Sequence, residues 1–294
     1  MGRRSVGAAL AAVVGLVLAA CGGLGGAPGS GGPPDDGPTV DGTTADPSGV
    51  VLVGMGLIMQ VGDEPPQLCL GAVADSYPPQ CGGPELIGFE GWSGIEHESA
   101  SGSTWASAWV VGTYDGTSFR LTEPATAEPP AGWEPSADPS PDFPQLCDDD
   151  AARAGGGPTG SDLITQQSEL SMFLETYDGY VLSYVSGGGD VMNVLVSGDA
   201  ALARAQFRAI YAGPLCVQTS DLPLQSDVRA AQDALNAVWE DLDLLSSGSG
   251  VSGLLEVQLV VADPAHVEAV TEVVAPWLEP DELVFSGALE PFPS

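Results

Sequence analysis

The sequence predicts an α+β protein, a small N-terminal β-barrel-like module followed by a C-terminal α/β sandwich. Three observations carry this. Residues 49–122 hold short β-prone runs broken by Pro/Gly turns, residues 161–291 alternate helical and strand patterns, and a Pro-rich linker at 123–160 divides the two.

Ahead of both lies an export signal, predicted over residues 1–20. Arg3 and Arg4 precede an almost wholly Ala/Val/Leu/Gly run from Val6 to Ala20. That run suits a signal-peptide core and is shorter than the roughly 20 residues of a spanning helix. It ends in Leu18-Ala19-Ala20-Cys21, which resembles the bacterial lipobox, an aliphatic residue and two small ones before the cysteine that becomes the lipidated N-terminus. The resemblance implies a diacylglycerol anchor on Cys21, with further palmitate-type acylation. Ser5-Val6-Gly7 lacks the bulky continuation of a twin-arginine signal. Residues 21–48 then read as the anchored cysteine and a flexible Gly/Pro-rich tether with a mean reach of about 30 Å. No later segment is apolar for long enough to span a bilayer.

The β module opens on Val50–Met59, a long apolar run whose glycines predict a bulge or bend. Leu68–Leu70 and Leu86–Phe89 are shorter strands. Trp109–Tyr114 and Thr117–Leu121 flank Asp115-Gly116, which predicts a type I′ hairpin. A closed or half-closed barrel is the preferred architecture.

In the second module Leu163–Tyr177 reads as a helix, then Val181–Val185 and Val191–Val196 as strands. Asp199 is an N-cap for a helix bearing Leu202, Phe207, Ile210 and Tyr211, and Leu215–Thr219 returns as a strand. A helix from Ser226 carries Val228, Ala231, Leu235, Val238 and Leu242 at helical spacing. Leu254–Val261 is a strand, Asp263-Pro264 starts a helix running to about Trp277, and Leu283–Leu289 closes the sheet. Two strand–capping Asp–helix–strand units, Val191–Thr219 and Leu254–Ser286, thus echo one another. Together they predict helices on one face of a ferredoxin-like sheet.

The chain has 40 acidic residues against seven arginines and no lysine, a formal net charge of −33. Loss of residues 1–20 removes Arg3 and Arg4 and no acid, which makes it −35. Such a surface repels phosphate backbones, so nucleic acid is excluded as a partner. The acidity fits a solvated exported surface better than adaptation to high salt.

Besides Cys21 there are Cys69, Cys81, Cys147 and Cys216. An even number in an exported chain reads as two disulfides with three connectivities. The short Pro-rich interval favours Cys69–Cys81, which leaves Cys147–Cys216. A four-thiolate metal site lacks its Cys-x-x-Cys knuckle.

Chemistry-bearing motifs are sparse, and no cofactor or metal is predicted. His97 lies between Glu96 and Glu98, a candidate base that a solvated loop explains better. His266, between Asp263 and Glu268, reads as a surface helix residue. No Gly-x-Ser-x-Gly elbow names a serine nucleophile. Gly248–Gly253 has the Gly-x-Gly-x-x-Gly spacing but precedes a strand, so it reads as a hairpin or loop. Asp148-Asp149-Asp150 offers hard oxygens to calcium without the EF-hand spacing. Trp92, Trp105 and Trp109 could form a stacking platform for sugars or peptides, although core packing explains them more simply.

With Pro78-Pro79-Gln80-Cys81-Gly82-Gly83-Pro84 in the β module, the arrangement of anchor, tether and two modules resembles uncharacterised exported lipoproteins of high-GC actinobacteria. The resemblance covers most of the mature chain and lends no activity or site residues. The expected function is a non-catalytic binding module, anchored on the extracytoplasmic side of the cell membrane. Its partner would be an envelope protein, a peptide or a wall polymer. The alternatives are an extracytoplasmic hydrolase using His97 and nearby carboxylates, and a calcium- or salt-dependent structural module.

Overall fold

The computed structural model describes residues 49–135, 143–157, 162–186, 188 and 191–293. The signal peptide, Cys21 and the tether therefore lie outside the described residues.

Strand β1 (Leu52–Val61) runs antiparallel to β5 (Ser103–Tyr114), from Leu52 opposite Gly112 to Val61 opposite Ser103. Between them in sequence come β2 (Gln67–Cys69), β3 (Glu85–Ile87) and β4 (Glu98–Ala100), and after them β6 (Ser118–Leu121). Pairing in the order β1-β2-β3-β6-β5 and back to β1 closes a five-stranded barrel. Every neighbour is antiparallel except β3 and β6. The fourth strand returning beside the first is a Greek-key route. Leu52, Ile58, Leu68, Leu86, Ala106, Ala108, Val110 and Phe119 fill the interior, with Ile95 buried against them from the loop after β3. The predicted barrel is present.

Two local expectations within it are corrected. The β1 glycines make no bulge, because the β1–β5 register is unbroken. Instead they admit close neighbours: a Cβ on Gly54 would lie 2.5 Å from the Ala288 carbonyl oxygen, and one on Gly56 2.8 Å from Leu68 Cδ1. The Asp115-Gly116 hairpin is not a two-residue type I′ turn, since Tyr114 pairs with Phe119 and leaves four residues between. Only Gly116 there has positive φ, whereas type I′ requires it at both central positions. The Asp115 carboxylate shapes the loop by accepting from the Thr117 and Ser118 amides at 2.9 and 2.7 Å. Those two bonds hold its carboxyl below the usual range.

The rest of the chain is built on one plan used twice. The first unit is α2 (Leu163–Leu174), β7 (Tyr180–Val185), β8 (Met192–Val196), α3 (Ala200–Phe207) and β9 (Leu215–Thr219). The second is α4 (Gln225–Asn236), β10 (Leu244–Ser249), β11 (Leu255–Val261), α5 (Pro264–Val274) and β12 (Leu283–Pro291). In each, an antiparallel hairpin is followed by a helix and a strand parallel to the hairpin's second strand. The repeat seen in sequence is therefore longer than its strand–helix–strand core. Both capping aspartates act as expected: Asp199 accepts from Ala201 and Leu202 amides, Asp263 from Ala265 and His266 amides, at 2.8 and 3.1 Å in each case.

Helices cover one face of each sheet. Leu170, Leu174, Ala203 and Phe207 pack on Met192, Val194, Val196, Leu215 and Val217, and Val228, Ala231, Leu235, Val270 and Val274 pack on Leu244, Leu255, Val257 and Leu259. Each such large side chain, once buried, contributes about 1.5–3 kcal/mol. The two crossovers do not share the single sheet that a ferredoxin-like sandwich requires. β7-β8-β9 form a separate three-stranded sheet, while β10-β11-β12 extend the barrel sheet. The cause is the end of β12, where Glu290 and Pro291 pair with Val53 and Leu52 of β1. Strand β10 went unread because Leu-Leu-Ser-Ser-Gly-Ser has weak β-propensity and its place is set by β11.

Within the predicted linker, α1 (Asp149–Arg153) forms a short helix. No helix among the described residues is long and apolar enough to cross a membrane.

Candidate functional site

Alternation along β1 and β5 gives each strand one face toward the barrel interior and one outside it. Gly54, Gly56, Ala106 and Ala108 face inward or sit against close neighbours, while Met55, Leu57, Met59, Trp105 and Trp109 share the outer face. Register sets Met55 opposite Trp109, Leu57 opposite Ser107 and Met59 opposite Trp105. Met55 is 53 % exposed, Ser107 is exposed, and Leu57 and Trp109 are half-buried. Neither strand contains a charged residue.

One end of this face is closed by the loop between Cys69 and Cys81, which are disulfide-bonded. Met59, Cys69 and Trp105 form a small core with Leu57, Cys81 and Ala100 around it. Above it stands Tyr77, 72 % exposed, edge-on to Trp105 with ring centroids 5.4 Å apart. The loop is braced internally: Ala74 pairs with Gln80, and Ser76 Oγ donates to the Pro78 carbonyl at 2.8 Å.

A polar chain lies where the barrel meets the second αββαβ unit. Tyr114, the last residue of β5, donates its hydroxyl to Asp243 Oδ2 at 3.4 Å. Burial, with the Asp243 charge beside it, pushes the Tyr114 phenol well above its usual range. Asp243 has left-handed backbone (φ 50°) just before β10, and its carbonyl accepts from the Val260 amide. Burial raises its carboxyl, opposed by the His266 charge and the Tyr114 hydrogen bond. His266 Nδ1 donates to Asp263 Oδ2 at 2.6 Å, so the N-cap of α5 also orients an imidazole. Partial burial pushes Asp263 up, but the His266 ring and the His266 and Ala265 amides outweigh it, and its carboxyl stays below the usual range. The arrangement fixes the orientation of the His266 ring through Asp263.

The other sequence candidates separate. His97 is exposed; its Nδ1–H donates to the Ile95 carbonyl at 2.9 Å and its ring lies 5.3 Å from that of Trp92. Trp92 is half-buried against the barrel core through Phe89. Trp105 and Trp109 do share β5 and one face, with Trp105 buried at 7 % exposure beneath Tyr77. Asp148 is spent as the N-cap of α1, accepting from the Ala151 amide at 2.7 Å, and Asp149 accepts from Gln145 at 2.9 Å. Among the described residues no group of three or more His, Cys, Asp or Glu is arranged to hold a metal ion. Gly248–Gly253 is the end of β10 and the turn into β11, a hairpin as expected. Cys147 and Cys216 are disulfide-bonded.

Sequence reasoning had noticed Asp263 beside His266, at N-cap spacing. Nothing in the sequence links Tyr114 to Asp243, which are 129 residues apart. Comparison with models of known protein families, with curated proteins and with solved structures finds no match.

Proposed function

We propose that the chain is an exported lipoprotein, cut before Cys21 and anchored by lipid on that cysteine, whose folded part is a non-catalytic binding module of the cell envelope. The observation that supports it is the use of the cysteines. Cys69 pairs with Cys81 and Cys147 with Cys216, so both disulfides together leave Cys21 unused. Paired cysteines belong to oxidising compartments, and the fifth cysteine falls where the sequence resembles a lipobox. A two-chain anchor is stable where one acyl chain is not.

Membrane fractionation and fatty-acid labelling of Cys21→Ala test the anchor. The variant is expected to be released or left unprocessed and to carry no label; normal retention and labelling overturn the reading.

A further inference from the structure

Methionine is scarce here and falls into two settings. Four of the five methionines lie among the described residues. Met59 and Met192 are buried, on strands paired on both sides. Met59 is in register with Trp105 of β5 and Gln67 of β2, and Met192 with Val185 of β7 and Leu215 of β9. Met55 and Met172, by contrast, are 53 % and 64 % exposed. Met55 stands on β1 in the interval between the β12 and β2 pairings. Met172 stands on the side of α2 away from Leu170 and Leu174, which pack on the sheet.

The thiols among the described residues are all taken. Cys69, Cys81, Cys147 and Cys216 are disulfide-bonded, so none of them competes for an electrophilic oxidant. Thioethers are then the soft, polarizable nucleophiles that remain.

We propose that Met55 and Met172 are oxidation sites, converted to sulfoxides by two-electron oxidants of the peroxide class while Met59, Met192 and the fold are spared. The proposal is independent of the lipid-anchor and binding-module readings.

The step balances without any other reactant. The sulfur lone pair attacks one peroxide oxygen, an S–O bond forms and the O–O bond breaks. The second oxygen leaves as hydroxide and takes the proton of the new S–OH group, giving sulfoxide and water. Sulfur loses two electrons and peroxide gains them.

Access separates the two pairs. An exposed sulfur meets the oxidant directly, whereas a buried one reacts only through local opening of its strand. For Met59 or Met192 that opening breaks ladders on both sides. Solvation decides what oxidation does to the fold. A sulfoxide at Met55 or Met172 keeps its new polar oxygen in water, while one at Met59 or Met192 would place it unpaired in a core.

The test treats the full chain with hydrogen peroxide beside free methionine and follows each methionine by peptide mass mapping. Met55 and Met172 should convert within about tenfold of the rate of the free amino acid, and Met59 and Met192 about tenfold or more slower than either. Protein oxidised at Met55 and Met172 alone should keep the melting curve of the untreated chain. Met55→Leu and Met172→Leu should each remove one fast conversion and leave the other at its own rate. The double variant should show only the slow conversions of Met59 and Met192. One common rate for all four, or survival of Met55 and Met172 after the free methionine is consumed, overturns the proposal. So does a melting temperature that falls as Met55 and Met172 oxidise while Met59 and Met192 are still reduced.

Discussion

In the first αββαβ unit, the sheet face turned away from α2 and α3 presents Asn193, Leu195, Cys216 and Gln218. In the second, the face turned away from α4 and α5 presents Glu256, Val284 and Ser286 to solvent, and only its far end, at Leu245 and Val260, meets the barrel core. The first face is covered by residues 143–153, which cross it as a strap. The Asn193 side chain accepts from the Leu146 amide at 3.0 Å, Gln218 Nε2 donates to the Leu146 carbonyl, and the Tyr184 hydroxyl donates to Pro144. Cys147–Cys216 fastens it covalently. Arg204 of α3 and Arg208, its C-cap, donate to the Ala151, Ala152 and Ala154 carbonyls at the end of α1.

The lesson concerns small sheets. Three strands with helices on one face leave the other face half-finished, and a face with buried Asn193 needs partners for its polar atoms. The second unit leaves most of that face to solvent and gains its support at the edge, where β12 pairs with β1; the first covers it with a disulfide-tied segment that the sequence presents as a linker.

Breaking the strap should give the largest effect. Cys147→Ser with Cys216→Ser is expected to cost about 2–5 kcal/mol. Hydrogen exchange should show the loss concentrated in β7–β9, with β10–β12 and the barrel keeping their protection. Equal loss in both units would mean that they fold as one body.

The two N-caps sharpen the comparison, because their amide geometry is the same. Asp199→Ala and Asp263→Ala should each cost about 0.5–2 kcal/mol by chemical denaturation. Asp263→Ala should cost the more, since it also frees the His266 ring. An equal effect would show that the Asp263–His266 pair adds nothing to stability.

The smallest effect is a pH dependence at the barrel junction. Asp243 has its carboxyl raised in the folded state, so folding favours the protonated form. That contribution is full below the unfolded carboxyl pKa of about 4 and is lost as pH rises through the folded value. Asp243→Asn should therefore flatten the fall of the melting temperature from about pH 4 upward relative to wild type. A parallel shift at every pH would place the loss in packing.

Much of this was legible in advance. Apolar and β-prone runs between Pro/Gly turns located β1, β2, β3, β6 and the second half of β5, and helical spacing located most helices; Ser103–Ala108, the first half of β5, and β4 were not legible as strands. Asp199 and Asp263-Pro264 marked helix starts correctly because capping is local chemistry between residues two and three apart. Of the three connectivities the sequence allows, the favoured one, Cys69–Cys81 with Cys147–Cys216, is formed. What failed was what depends on distant partners. Ser-rich β10 is a strand because β11 pairs with it, the β1 glycines answer to Ala288 and Leu68, and Asp115-Gly116 takes a longer loop because the β5–β6 register places Tyr114 opposite Phe119.

For the candidate surfaces the division is the same. From the sequence come the acidity of the chain and, if one strand spans both, the shared parity of Trp105 and Trp109. The closure of the barrel puts this shared face outside, because Ala106, Ala108 and Val110 of the same strand pack with Leu52, Ile58, Leu68, Leu86 and Phe119 in the interior. Only the tertiary structure brought Tyr77 over Trp105, and Tyr114 to Asp243, contacts made by chain closure over long separations that no local pattern encodes.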